Sequence, residues 1–123
     1  MMSRARTTTD GPRSVLDLKR PPTSPGEMLL EEFLRPANLT QVEAARRMKM
    51  PLNRLNEIIN GKRGITADTA LRLARLLKMS PEFWMGLQAD WDLWHELQRG
   101  TTNYGTIRQR RPRAVRAAAR AAM

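Results

Sequence analysis

Four side chains able to hydrogen bond, Asn53, Arg54, Asn56 and Glu57, crowd a single short stretch, PLNRLNEIIN, over residues 51–60. The chemistry open to such a set is recognition. In a duplex major groove an asparagine amide bonds adenine, a guanidinium bonds guanine, and a carboxylate accepts from cytosine. Glu57, three residues on from Arg54, can alternatively hold that arginine in place. Nearby residues suit phosphate oxygens. Gln41 falls where the first turn of a helix leaves its amide and free backbone N–H groups available, and Asn60, Lys62 and Arg63 share a basic turn flanked by glycines. Catalysis finds no such material. The chain has no cysteine and one histidine, His95, so no nucleophile–base constellation, thiolate metal site or histidine cluster can be assembled. No catalytic residue, metal, cofactor or small-molecule substrate is expected.

Helices must position these groups. Apolar residues recur at helical spacing in Leu29/Leu30/Phe33/Leu34, Val42/Ala45/Met48, Leu55/Ile58/Ile59 and Ala70/Leu73/Ala74/Leu77, each the buried face of an amphipathic helix. Start signals precede them. Ser24-Pro25-Gly26-Glu27 and Thr40-Gln41-Val42-Glu43 fit capping boxes, Pro51 opens a third helix that Gly61 ends, Thr66 caps a fourth, and Ser80-Pro81 opens a fifth. The predicted helices run from 25 to about 35, 40 to 48, 51 to 60, 66 to 79 and 81 to 98. No useful period-2 alternation appears, so the expected fold class is all-α, with five helices.

Only Lys49-Met50 separates the second helix from the third. So brief a join requires a steep crossing, which the small Ala45 permits, as in a helix-turn-helix over 40–60. An ordinary helical hairpin has similar spacing. The asparagines favour the first reading, because they are mediocre helix formers whose presence polarity alone does not explain.

Charge is sorted along the chain. Of the net +10, residues 1–24 and 100–123 hold most, and the latter carry six arginines and no acid. The expected organisation is a basic arm over 1–24, a folded domain over 25–98 and a basic tail over 99–123. Within the domain, residues 40–65 carry six basic and two acidic side chains, while 80–98 carry four acids and no Lys or Arg. The segment that holds these side chains is thus the positive pole of a nearly balanced domain. No apolar run reaches the ~20 residues of a membrane helix, and the N-terminus lacks the apolar core of a secretory signal. A cytoplasmic location, associated with the nucleoid through DNA, is expected.

TQVEAARRMKMPLNRLNEIINGKRGITADTALRLARLL resembles the Cro/C1-type (XRE) helix-turn-helix family. More narrowly, RPPTSPGEMLLEEFL, NRLNEIINGKRGITADTALRLARLL and SPEFWMGLQ resemble HigA-type antitoxins of addiction modules, over residues 19–98. The resemblance implies a lambda-repressor-like helical domain that represses its own operon as a dimer on double-stranded operator DNA. It also implies binding of a cognate toxin, a basic ribonuclease. By position it puts Gln41 at the family's phosphate contact and Asn53, Arg54, Asn56 and Glu57 on its recognition helix. Lys49 stands where the family usually has glycine, and Ser24 where histidine is common.

Trp84, Leu87, Trp91 and Trp94 are spaced 3, 4 and 3 apart on the fifth helix. Three tryptophans exceed what so small a core can enclose, so Trp84, Trp91 and Trp94 are expected at a homodimer seam. Two alternatives to the antitoxin stay open at this point. One is a phage-type or chromosomal repressor without a toxin, and the other an RNA-binding or interaction module acting through its basic tails.

Overall fold

Each helix start that the sequence marks with Ser or Thr is capped by that residue. The hydroxyls of Ser24, Thr40, Thr66 and Ser80 accept the backbone N–H of Glu27, Glu43, Thr69 and Glu82, satisfying donors that a helix start leaves without partners. The computed structural model describes residues 15–110. Among them it contains helices α1 (Pro25–Met28), α2 (Gln41–Met48), α3 (Leu52–Ile59), α4 (Ala67–Leu77) and α5 (Pro81–Arg99), with short 3₁₀ turns at Val15–Asp17 and Tyr104–Thr106. No strand occurs among the described residues, and no helix there is long and apolar enough to cross a membrane.

Two local departures have physical causes. The first helix is α-helical only to Met28; Leu29–Leu34 then widen into a π-helix, closed by Arg35 N–H donating to the Leu30 carbonyl at 3.0 Å. The wider turn brings Leu29 and Leu34, five residues apart, toward one face, and both are completely buried. Pro51 stands one residue outside α3, in extended conformation, because the two-residue join must first turn the chain away from α2.

The core lies where α1, α3, α4 and the start of α5 meet. Leu29, Leu34, Leu55, Ile58, Leu73 and Trp84 are its largest buried apolar members. Gly26 lets α1 touch the backbone of α3, since a Cβ there would lie 2.1 Å from the Ile58 carbonyl oxygen. Ala44 and Ala45 are both buried and permit the close α2–α3 crossing that Ala45 led us to expect.

Trp84 belongs to this core and not to a dimer seam. Its side chain has no exposed surface and packs against Phe83 and Phe33, with ring centroids 5.1 and 5.3 Å away. The regular tryptophan stripe conceals a change of surroundings. The first turns of α5 cover α1 and α4, whereas the later turns meet the segment that precedes α1 and the turn at Tyr104–Thr106. Trp94 accordingly donates its indole N–H to the Leu18 carbonyl at 3.0 Å, and Trp91 stacks on His95 with centroids 4.0 Å apart. The folded body therefore includes residues 15–18, which the sequence assigns to the arm. Most of that arm, 1–14, and the arginines at 111, 113, 116 and 120 lie outside the described residues.

Candidate nucleic-acid interface

α2 and α3 are joined by a tight closure in which Met50 N–H donates to the Ala45 carbonyl at 3.0 Å and Lys49 N–H to Arg46 at 3.1 Å. Lys49 takes φ 56°, ψ 47° to make it. The far end of α3 closes in the same manner: Lys62 N–H reaches the Glu57 carbonyl at 2.8 Å, Gly61 N–H reaches Ile58 at 3.1 Å, and Gly61 takes φ 78°. These closures set the α2–α3 join at the start of α3 and the basic turn at its end.

Along α3, Asn53 is exposed and Asn56 half-buried. Among the described residues no side-chain partner engages either amide, nor that of Gln41 in the first turn of α2, nor the ammonium of exposed Lys62 and the amide of Asn60. These groups have their bonding capacity free for a ligand.

Arg54 does not share that face. Its guanidinium donates to Asp68 Oδ2 at 3.0 Å and to Thr69 Oγ1 at 2.9 Å, and its side chain keeps 27% exposure. Residue 54 flanks the core-facing row of Leu55 and Ile58, so a long side chain there runs across to the start of α4. Glu57 does not hold Arg54 either. It pairs with Arg63, whose Nε and Nη2 lie 2.9 and 2.8 Å from Glu57 Oε1, because the closure of α3 folds the basic turn back over its last turn.

On α2, Glu43 receives both Arg46 and Arg47, the latter at 2.8 Å. The Arg46 hydrogen bond, followed by that of Arg47, lowers the Glu43 carboxyl to about 2. Asp68 is likewise held below its ordinary range, first by Arg72 and then by Arg54.

Three contributors escape a reading by sequence. Arg72 donates to the Met48 and Lys49 carbonyls at 2.7 and 2.8 Å and to Asp68 at 2.9 Å. Gln88 of α5 accepts Ile65 N–H at 2.7 Å, fastening the exit of the basic turn. Asp68 and Arg72 carry one visible signal, their i, i+4 spacing, but their partners on α2 and α3 are distant in sequence.

α2 and α3 form a helix-turn-helix, and comparison with known proteins agrees. A helix-turn-helix family model (HTH_3) matches residues 30–84. Virulence-associated protein I of Dichelobacter nodosus is 42% identical over 59% of this chain and 68% of its own. Antitoxin HigA-1 of Vibrio cholerae is 42% identical over 66% of this chain and 76% of its own. The Pseudomonas aeruginosa antitoxin HigA, solved with the higBA promoter, superposes with a TM-score of 0.66 at 35% identity, covering 71% of this chain and 96% of that one.

The chain belongs to the HigA-type antitoxins of the Cro/C1-type helix-turn-helix family.

This HigA-type chain departs from its family at Lys49, which occupies the left-handed backbone region that favours glycine. The departure lies in the turn between α2 and α3 and does not involve the side chains of Asn53 and Asn56. Ser24, the other departure, keeps a purely local role as the cap of α1.

Proposed function

We propose that this protein is the antitoxin of a type II toxin–antitoxin module, which represses its own operon by reading operator DNA and neutralises a basic ribonuclease by direct binding. The observation that carries the DNA half is a pair of uncommitted asparagines on α3, Asn53 exposed and Asn56 half-buried, with Gln41 in the first turn of α2 and Lys62 after α3 equally uncommitted. Asn53 and Asn56 read base edges, while Gln41, Asn60 and Lys62 contact phosphates and fix the depth of α3. Arg63 contributes to phosphate binding in part, its charge being shared with Glu57. The promoter in the Pseudomonas aeruginosa HigA structure supports this assignment, and the antitoxin relatives support the toxin partner.

A homodimer fits the same reading. Leu93 and Leu97 of α5 are 53% and 38% exposed and, with Leu16 and Tyr104, line an apolar groove of about 280 Å³. In the proposed dimer these residues meet their counterparts, and Trp91 and Trp94 border them. Two reading heads would then lie about 34 Å apart, one turn of DNA, and select a palindromic operator. Such a protein works in the cytoplasm, at the chromosome.

The test joins both halves. The gene adjoining this one is expressed in a bacterial host with and without this protein, and the purified protein is titrated onto its own promoter. Growth arrest relieved by this protein, together with a promoter complex that survives competitor DNA, is the expected result. Repression without relief would leave a transcriptional regulator that lacks a toxin.

A further inference from the structure

Apolar packing sets how deeply a helix is buried, but it is non-directional and leaves rotation about the helix axis loosely specified. Leu55 and Ile58 fix the depth of α3 in this way. Base reading demands more, because groove-facing groups must be held within about 0.5 Å and 10–20° of their productive positions. Directional, charge-assisted hydrogen bonds supply that restraint. One carboxylate oxygen, Asp68 Oδ2, receives Arg54 from α3 at 3.0 Å and Arg72 from its own helix at 2.9 Å. Arg54 is seated a second time on Thr69 Oγ1 at 2.9 Å, and Thr69 is itself buried. Arg72 continues the chain to the Met48 and Lys49 carbonyls at 2.7 and 2.8 Å, at the turn from which α3 departs. A single acid thus references α3 to the end of α2 and the start of α4.

We propose that Asp68, with Arg54 and Arg72, is a positioning element for operator specificity, setting the rotation of α3 from outside its reading face. The proposal rests on the operator-reading function above and assigns Arg54 a positioning role in place of base contact. Removing the Asp68 charge leaves every reading side chain present but loosely aimed. Asp68→Asn also removes a negative charge near the DNA, so binding to arbitrary sequence is retained or strengthened while operator binding falls. Partial unfolding, by contrast, would weaken both.

The probes are a duplex selected by the wild-type protein from a random-sequence pool and an unselected duplex of equal length. If the wild-type protein selects no sequence, the operator-reading function itself fails, separately from this inference. Otherwise Asp68→Asn, folded by circular dichroism, should lose about tenfold or more on the selected duplex and nothing on the unselected one. Its loss should be spread over several base pairs in a single-substitution scan, with the same profile as Arg54→Ala. The double variant should be no worse than either single one, as members of one network are non-additive. If Asp68→Asn does not fold, Arg72→Lys, which keeps the charge but cannot bridge both carbonyls and Asp68, takes its place under the same criteria. Two results overturn the proposal: selected-duplex affinity changed by less than about twofold, or an Arg54→Ala loss confined to one base pair and additive with the Asp68 change.

Discussion

Arg63 lies 2.8 Å from the carboxylate of Glu57, so the basic turn after α3 is partly neutralised by the helix that it follows. Lys62, one residue earlier, has no such partner among the described residues. The two cations should therefore behave differently on DNA. Lys62→Ala is expected to reduce the salt slope of binding by about one unit for every sequence, and Arg63→Ala by less. Glu57→Gln frees Arg63 and should strengthen binding to unselected DNA while steepening its salt dependence. Anisotropy titrations over a series of salt concentrations decide this, and a weaker Glu57→Gln complex on unselected DNA would contradict it.

Asn53 presents its amide from the exposed face of α3. Asn53→Ala should cost about 1–3 kcal/mol on the operator and little on random duplex. Equal losses on both would show that it contacts the backbone and reads no base.

Lys49 holds φ 56° in the turn between α2 and α3. A left-handed conformation costs a residue with a Cβ about 1–2 kcal/mol, of which glycine recovers part after its greater freedom in the unfolded chain is deducted. Lys49→Gly is expected to stabilise the domain by about 1 kcal/mol and raise its melting temperature by roughly 4–8 °C. Thermal denaturation followed by circular dichroism measures it; an unchanged or lower midpoint would mean that the Lys49 side chain contributes more than its backbone costs.

The acid limb of stability has a definite sign. Glu43 titrates at about 2 in the folded state against an ordinary 4.5, and Asp68 is also shifted down. Groups depressed in this way stabilise the fold above their ordinary values, and the contribution is lost as the pH falls toward the folded values. Urea midpoints should accordingly decline as the pH drops from about 4.5 toward about 2, and Glu43→Gln should make that decline shallower. A decline equally steep in the variant would place the acid sensitivity elsewhere. Because Glu43 is solvent-accessible, the effect is expected to be modest.

The two ends of α5 should respond oppositely to substitution. Trp84→Ala empties a fully buried site and should cost about 3–5 kcal/mol, a large fraction of the stability of a domain of this size. Leu93→Glu combined with Leu97→Glu changes side chains that are already exposed and should leave a folded monomer with reduced operator affinity. Sedimentation paired with circular dichroism distinguishes these results, and a double variant that remains dimeric would move the proposed seam elsewhere.

The sequence by itself determined what depends on neighbours a few residues away. Ser24, Thr40, Thr66 and Ser80 cap helices because a hydroxyl at that place meets an N–H two or three residues on. The 3.6-residue period of apolar side chains delimited the buried faces, and the short Lys49-Met50 join required α2 and α3 to cross. Tertiary structure decided where each polar side chain spends its bonding capacity. Asn53 and Arg54 are adjacent and equally plausible as readers, yet Arg54 is claimed by Asp68, 14 residues on, and Arg72 reaches back 24 residues to Met48. The tryptophans of α5 have a regular spacing, but Trp84 packs on Phe33 while Trp94 meets Leu18, 76 residues away. Periodicity records which side of a helix is apolar. What covers that side, and which long charged side chain finds a partner across a helix boundary, follows from how the helices are placed against one another.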